Sequence, residues 1–139
     1  MKVVTILLVE DDQLDTIDIK RTLDKMKIMY SLHVARNGEE AIEYLNEQES
    51  MAPGKLPDFV LIDVNMPKMN GLELLSHIRS KPAWKHLKCF IITTSDERVD
   101  KEAAKRLDAS GYIIKPFKLT NHSSMDSFNL MIDLMNAKD

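Results

Sequence analysis

Phe59-Val60-Leu61-Ile62-Asp63 is the stretch that decides the fold. Its first four positions are all apolar, so it reads as a strand buried on both faces, the pattern of a parallel sheet covered by helices. It then stops on a carboxylate, and Asn65, Pro67 and Gly71 follow at once. Such a strand has no use for Asp except at its exit. There the side chain points into the crevice beyond the carboxyl ends of the strands, where open α/β proteins place their chemistry. Asp63 is therefore a functional carboxylate on its position alone.

Working outward, four more apolar runs surround it: Val4–Val9, Ser31–Ala35, Cys89–Thr93 and Tyr112–Ile114. Ser31–Ala35 alternates, which suits a strand nearer an edge. Between the runs, apolar residues recur at helical spacing: Ile19, Leu23 and Met26; Ala41, Ile42 and Leu45; Leu72, Leu75 and Ile78; Val99, Ala103 and Leu107. The last set is Met125, Phe128, Ile132 and Met135. Strands separated by helix-length segments mean βαβ units with right-handed crossovers. The expected fold is α/β, a doubly wound three-layer (βα)5 sandwich on a five-stranded parallel sheet, with residues 1–139 as one domain. Gly38, Gly71 and Ser110-Gly111 mark joints. Asp12 is placed to cap the first helix, and Asp15 adds negative charge at its N-terminus. The polar stretch Glu47–Pro57, with Pro53 and Pro57, reads as a tolerated surface insertion, the functional alternative being a partner-docking loop.

A formal charge of -3, with bases interspersed among acids, argues against nucleic acid as the main partner. The one cysteine, Cys89, lies in an apolar run and reads as a core residue rather than a reactive thiol. Met1-Lys2 and the run behind it imitate a signal peptide, but Glu10-Asp11-Asp12 follows with no small-residue cleavage site. No stretch is long enough to cross a membrane, so the expected location is cytoplasmic by default. His33, His77, His86 and His122 are scattered, without metal-ligand spacing. Trp84, in Lys81-Pro82-Ala83-Trp84, is expected to anchor a turn at the surface.

The strand ends carry the functional argument. The first run ends in Glu10-Asp11, the third in Asp63, the fourth in Thr93-Thr94-Ser95 and the fifth in Lys115-Pro116. In a doubly wound sheet these ends lie side by side. Three carboxylates about 5 Å apart repel one another by a few kcal/mol per pair at an effective dielectric near 20. One lysine cannot neutralise three acids. A divalent cation with oxygen ligands can, and Mg²⁺ suits a site with one or two carboxylates. Hard cation, carboxylates, Lys and Thr together describe phosphoryl transfer. Asp63 is then a metal ligand alone or also a nucleophile; its central place, with Lys115 and Thr93 beside it, favours the nucleophile.

Glu10-Asp11, Asp63 with Asn65, Pro67 and Gly71, Thr93, and Lys115-Pro116-Phe117 stand in order at matching spacings along the whole chain. In this the sequence resembles the receiver domain of two-component response regulators. The long loop and the Thr-Thr-Ser ending are similar to the stand-alone receivers paired with bacterial phytochromes. The resemblance implies flavodoxin-like strand order 2-1-3-4-5. It makes Asp63 the acceptor of a phosphoryl group from the phosphohistidine of a sensor histidine kinase. It implies Mg²⁺ held by Asp11, Asp63 and the main-chain carbonyl of Asn65, with Glu10 acting through a water. Lys115, before a cis Lys115-Pro116 bond, would pair with phosphoryl oxygens. Thr93 would move to bond the phosphoryl group and Tyr112 would swing inward, remodelling the face of the fourth helix, fifth strand and fifth helix.

The position after the switch threonine, often Ala in the family, is Thr94. Together with an uncharged Ser95, it leads to the expectation that the phosphorylated form lasts minutes or longer. With one helix after Phe117, no DNA-binding output domain is expected, so output is a protein contact or onward phosphotransfer. Homodimerisation through the fourth-to-fifth-helix face is in keeping with the family. The protein would be a signalling switch rather than an enzyme on an external substrate.

Three rival readings compete with this one. A calcium loop fails because Pro67, Lys68 and Leu74 stand where a ligand, the turn glycine and the final Glu belong. A haloacid-dehalogenase-type phosphohydrolase fails because Asn65 replaces its second Asp and the nucleophile follows the third strand, not the first. The alternative of another class is a phosphorylation-independent interaction module on a receiver scaffold. Degenerate receivers usually lose an acid, the Thr or the Lys, and this chain keeps them all.

Overall fold

The computed structural model describes residues 3–26, 28–51, 54–117 and 125–136, with side chains omitted for 125–128. The expected positions His122, Met125 and Phe128 therefore lie outside the described residues or side chains. Strands β1 (Val4–Val9), β2 (Tyr30–Ala35), β3 (Phe59–Ile62), β4 (Lys88–Thr93) and β5 (Gly111–Ile114) alternate with five helices. These are α1 (Gln13–Lys25), α2 (Gly38–Ser50), α3 (Gly71–Ser80), α4 (Arg98–Arg106) and α5 (Met125–Asn136). All strand pairs are parallel, in the order β2-β1-β3-β4-β5. The doubly wound expectation holds.

Alternation along the buried strands builds two apolar layers. Leu7, Val9, Val60, Ile62, Cys89 and Ile91 face one layer with Ala41, Leu45, Leu74, Leu75 and Ile78 from α2 and α3. Ile6, Leu8, Leu61, Phe90, Ile92 and Ile113 face the other with Ile19 and Leu23 from α1 and Met131 and Met135 from α5. Burying each such side chain contributes about 1.5–3 kcal/mol, which is why continuous apolar runs go to the sheet's middle. Edge strand β2 alternates in burial, as its sequence does. Burial pushes the Cys89 thiol up to about 11, so it is an inert core residue.

Local signals set the helix starts. Asp12 Oδ1 accepts the Asp15 N–H at 3.0 Å, and Asn37 Oδ1 accepts the Glu40 N–H at 2.9 Å. At α3, Asn70 and Glu73 form a reciprocal capping box. Gly71 opens α3 because the chain passes hard against Asp63: a Cβ there would overlap the Asp63 carbonyl oxygen.

Three expectations change. Trp84 is not at the surface but wholly buried, its Nε1 donating to Glu49 at 2.7 Å and Lys81 Nζ lying 4.0 Å from its ring centre. The turn that begins at Lys81-Pro82 folds inward toward α2. On α4, Val99 is 71% exposed and Ala104 is buried instead. Asp100 rather than Val99 takes the inner position, because it accepts the Ser95 hydroxyl at 2.7 Å. The long connection is also shorter than Glu47–Pro57: α2 runs to Ser50, and the Lys55 N–H returns to the Gln48 carbonyl at 2.9 Å.

Candidate functional site

The sheet delivers its acids as the strand ends foretold. Glu10 follows β1 and Asp63 follows β3, the neighbouring strand, with Val9 paired to Ile62. Glu10 is 2% and Asp63 6% exposed, whereas Asp11 is open to solvent. One carboxylate oxygen from each of Glu10, Asp11 and Asp63 lies within 4.8 Å of the others.

Lys115, after β5, reaches into this cluster from the far side of the sheet. Its Nζ donates to Glu10 Oε1 at 2.7 Å, Asp15 Oδ2 at 2.7 Å and Asp63 Oδ2 at 3.1 Å. The Lys115-Pro116 peptide is cis, as expected, and Thr22 Oγ1 donates to the Phe117 carbonyl at 2.6 Å, tying that loop to α1. Main-chain donors orient the acids: Asp12 N–H to Glu10 Oε2 at 3.2 Å and Asn65 N–H to Asp63 Oδ1 at 3.2 Å.

Electrostatics here are only partly balanced. Burial pushes Glu10 up to about 7 and the Asp63 charge adds to it, against the pull of Lys115. Burial pulls Lys115 down, but hydrogen bonds to Asp15 and Glu10 and the Asp63 charge outweigh it and drive Lys115 well above its ordinary value. The two directions agree physically: an ammonium among three acids stays charged, yet cannot keep every acid ionised. The donor set is all hard oxygen, clustered tightly enough for one small divalent cation to be shared, so the residues fit Mg²⁺ or Mn²⁺.

Thr93 and Tyr112 are brought near the site but not into the acid cluster. Thr93 is fully buried at the end of β4; its Oγ1 accepts the Ser95 N–H at 3.2 Å, and its carbonyl accepts the Lys115 N–H at 2.7 Å. The Tyr112 hydroxyl donates to the Ser95 carbonyl at 2.9 Å. Ser95 thus connects Thr93, Tyr112 and, through Asp100, the helix α4.

Sequence reasoning missed Asp15 as a partner of Lys115. A signal was present: Asp15 precedes the buried Ile19 and Thr22 by four and seven positions, which puts it on the inward face of α1. Asp100 was missed because the α4 stripe was assigned one residue out of phase.

A flavodoxin-type sheet whose carboxyl edge gathers acids around one lysine defines a class of α/β proteins built to handle a cation and a phosphoryl group in one crevice. Within that class, the chain belongs to the response regulator receiver domain family, whose model matches residues 6–125. It is 32% identical over 110 residues to the response regulator Rcp1 of Synechocystis sp., covering 79% of this chain and 75% of that one. The structure of the phosphorylated cyanobacterial phytochrome response regulator RcpA aligns with a TM-score of 0.80 at 27% identity, over 99% of this chain and 98% of RcpA. The Mn²⁺-bound form of Rcp1 aligns with a TM-score of 0.74 at 28% identity, over 96% and 92% of the two chains. This protein is accordingly a receiver-domain response regulator of the two-component signalling type, similar to regulators associated with phytochromes.

Proposed function

We propose that Asp63 is the phosphoacceptor and that the chain, read as one receiver unit over residues 1–139, takes its phosphoryl group from the phosphohistidine of a sensor histidine kinase. The observation that carries this reading is Lys115 Nζ bridging Asp63 and Glu10 in a crevice where three acid oxygens crowd within 4.8 Å. An Asp63 oxygen forms the bond to phosphorus, the phosphorus–nitrogen bond breaks, and the imidazole leaves with the electron pair.

Mg²⁺, when bound, neutralises the acids and the phosphoryl oxygens. Asp11, Asp63 and the main-chain carbonyl of Asn65 would hold it, with Glu10 acting through an intervening water. Lys115 grips a phosphoryl oxygen, and Thr93 supplies its hydroxyl to another. Because Ser95 links Thr93 to Tyr112 and to α4, movement of Thr93 reaches the α4–β5–α5 face. Output through that face goes to a protein partner, to an onward phosphotransfer protein or to a second copy. Exposed Val99 and Leu130 offer apolar contacts on α4 and α5. A sensor-kinase partner would meet the protein in the cytoplasm. Two similar regulators support parts of this reading, since Rcp1 was solved with Mn²⁺ and RcpA in phosphorylated form.

The test is incubation with Mg²⁺ and a small-molecule phosphodonor, followed by intact mass. Wild type gains one phosphate, and Asp63→Asn does not. No gain on wild type, or an undiminished gain on Asp63→Asn, would favour a phosphorylation-independent binding module.

A further inference from the structure

We propose that Asp15 is a positioning and specificity-determining residue of this site. Its carboxylate holds Lys115 until a phosphoryl group takes that place, and its charge disfavours phosphodonors in proportion to their own negative charge. The inference rests on the phosphoacceptor reading of Asp63.

A lysine ammonium has three N–H donors, and those of Lys115 meet three carboxylates: Glu10 at 2.7 Å, Asp15 at 2.7 Å and Asp63 at 3.1 Å. A phosphoryl oxygen can reach Nζ only by displacing one of them. Glu10 is the least able to leave, its side chain being 1% exposed and its second oxygen held by the Asp12 N–H. Asp63 is the group being modified, and its other oxygen is held by the Asn65 N–H. Asp15 differs: its side chain is 35% exposed and stands on the first turn of α1. It lines a cavity of about 200 Å³ together with Asp18, Thr94, Lys115 and Pro116, which gives the carboxylate space to turn into.

Asp15 therefore yields, and afterwards remains within a side chain's length of the arriving phosphoryl group. Coulomb repulsion scales with the donor's charge. At neutral pH acetyl phosphate is a dianion and phosphoramidate a monoanion, so Asp15 penalises the first twice as much in free energy. A donor whose phosphoryl charge is partly offset by a cationic leaving group passes more easily. Phosphohistidine fits that description.

The experiment follows Mg²⁺-dependent phosphorylation of the full chain by intact mass, over a range of concentrations of each donor. In both cases an Asp63 oxygen attacks phosphorus. With acetyl phosphate the bond from phosphorus to the acyl oxygen breaks and acetate leaves; with phosphoramidate the phosphorus–nitrogen bond breaks and ammonia leaves. One carboxylate about 7 Å away in a water-like dielectric changes donor capture about threefold per unit of donor charge. For Asp15→Asn the half-saturating concentration should fall about threefold for phosphoramidate and, by the same relation, about tenfold for acetyl phosphate. The maximal rate should move less, and added salt should shrink the gain.

Asp15→Ser should repeat the pattern, while Asp15→Glu, which keeps the charge, should stay near wild type. Equal changes for both donors in Asn and Ser variants would mean that Asp15 merely fixes Lys115, and would overturn the proposal. So would a preference between the two donors that stays at the wild-type ratio in both variants. If wild type gains phosphate from neither donor, the phosphoacceptor reading fails and this inference falls with it.

Discussion

Replacing Gly71 by Ala should damage both the fold and the site, because the two meet at that atom. A Cβ on Gly71 would overlap the Asp63 carbonyl oxygen and stand 2.8 Å from both the Asp63 carbonyl carbon and Ile62 Cγ2. Two of these neighbours are backbone, and they cannot swing aside. The Asp63 N–H is bonded to the Val9 carbonyl at 3.1 Å, and the Gly71 N–H to the Val64 carbonyl at 2.9 Å. Relief must come from shifting the α3 N-terminus or the β3 exit. Overpacking of this kind costs about 1–3 kcal/mol, and a clash with backbone belongs at the upper end. The helix-propensity gain of Ala over Gly offsets up to about 1 kcal/mol. A net loss of about 2 kcal/mol lowers Tm by roughly 6–10 °C for a domain of this size. The shift also disturbs Asp63, so Mg²⁺ should raise the Tm of the variant less than that of wild type. Gly54→Ala is the control, since among the described residues its added Cβ meets nothing nearer than the Glu49 carbonyl oxygen at 3.6 Å. Thermal melts with and without Mg²⁺ decide the matter. A Gly71→Ala Tm within about 2 °C of wild type, where a 2 kcal/mol loss should show clearly, would refute the reasoning. An equal drop for Gly54→Ala would also refute it.

Other expectations follow from the same geometry. Without divalent ions, native Glu10 (pKa about 7) binds its proton at a pH where the unfolded chain, near 4.5, has lost it. Its contribution to stability is therefore full below about 4.5 and is lost as pH rises through about 7; urea midpoints across this window should show a decline that Glu10→Gln removes. Trp84→Ala should cost about 3–5 kcal/mol in urea unfolding, as expected for deleting a fully buried aromatic, whereas a surface anchor would cost far less. The phosphorylated form should persist for minutes or longer in Mg²⁺ buffer and decay faster in Thr94→Ala, since Thr94 stands beside Lys115 at the cavity and the Ser95 hydroxyl is engaged by Asp100. Mass spectra showing loss of the phosphate within seconds would contradict this.

What the sequence disclosed and what it withheld divide along a physical line. Glu10, Asp11, Asp63 and Lys115 could be placed together because strand register is rigid: apolar runs of four to six residues, paired in parallel, deliver their last residues to one edge. Any polar residue at such an exit is located by the sheet alone. Trp84, Asp15 and Asp100 depend instead on how a helix or turn rotates against its neighbours, which no single periodicity specifies. In Lys81-Pro82-Ala83-Trp84 the turn residues were legible, but the inward direction came from Glu49 on α2, thirty-five positions away, whose carboxylate receives the indole N–H. In α4 the apolar content is too low for phase to be read from hydrophobicity. A hydrogen bond from Ser95 set the phase instead, turning Asp100 in and Val99 out. Asp15 shows both kinds of information in one residue. Its charge suits a helix N-terminus by sequence alone, and that reading is sound as far as it goes. Its bond to Lys115, one hundred positions away, exists because α1 packs beside the β5 exit, where Thr22 on the same face holds the Phe117 carbonyl. A carboxylate that looked like a local helix signal is thereby a third acid on the lysine of the site.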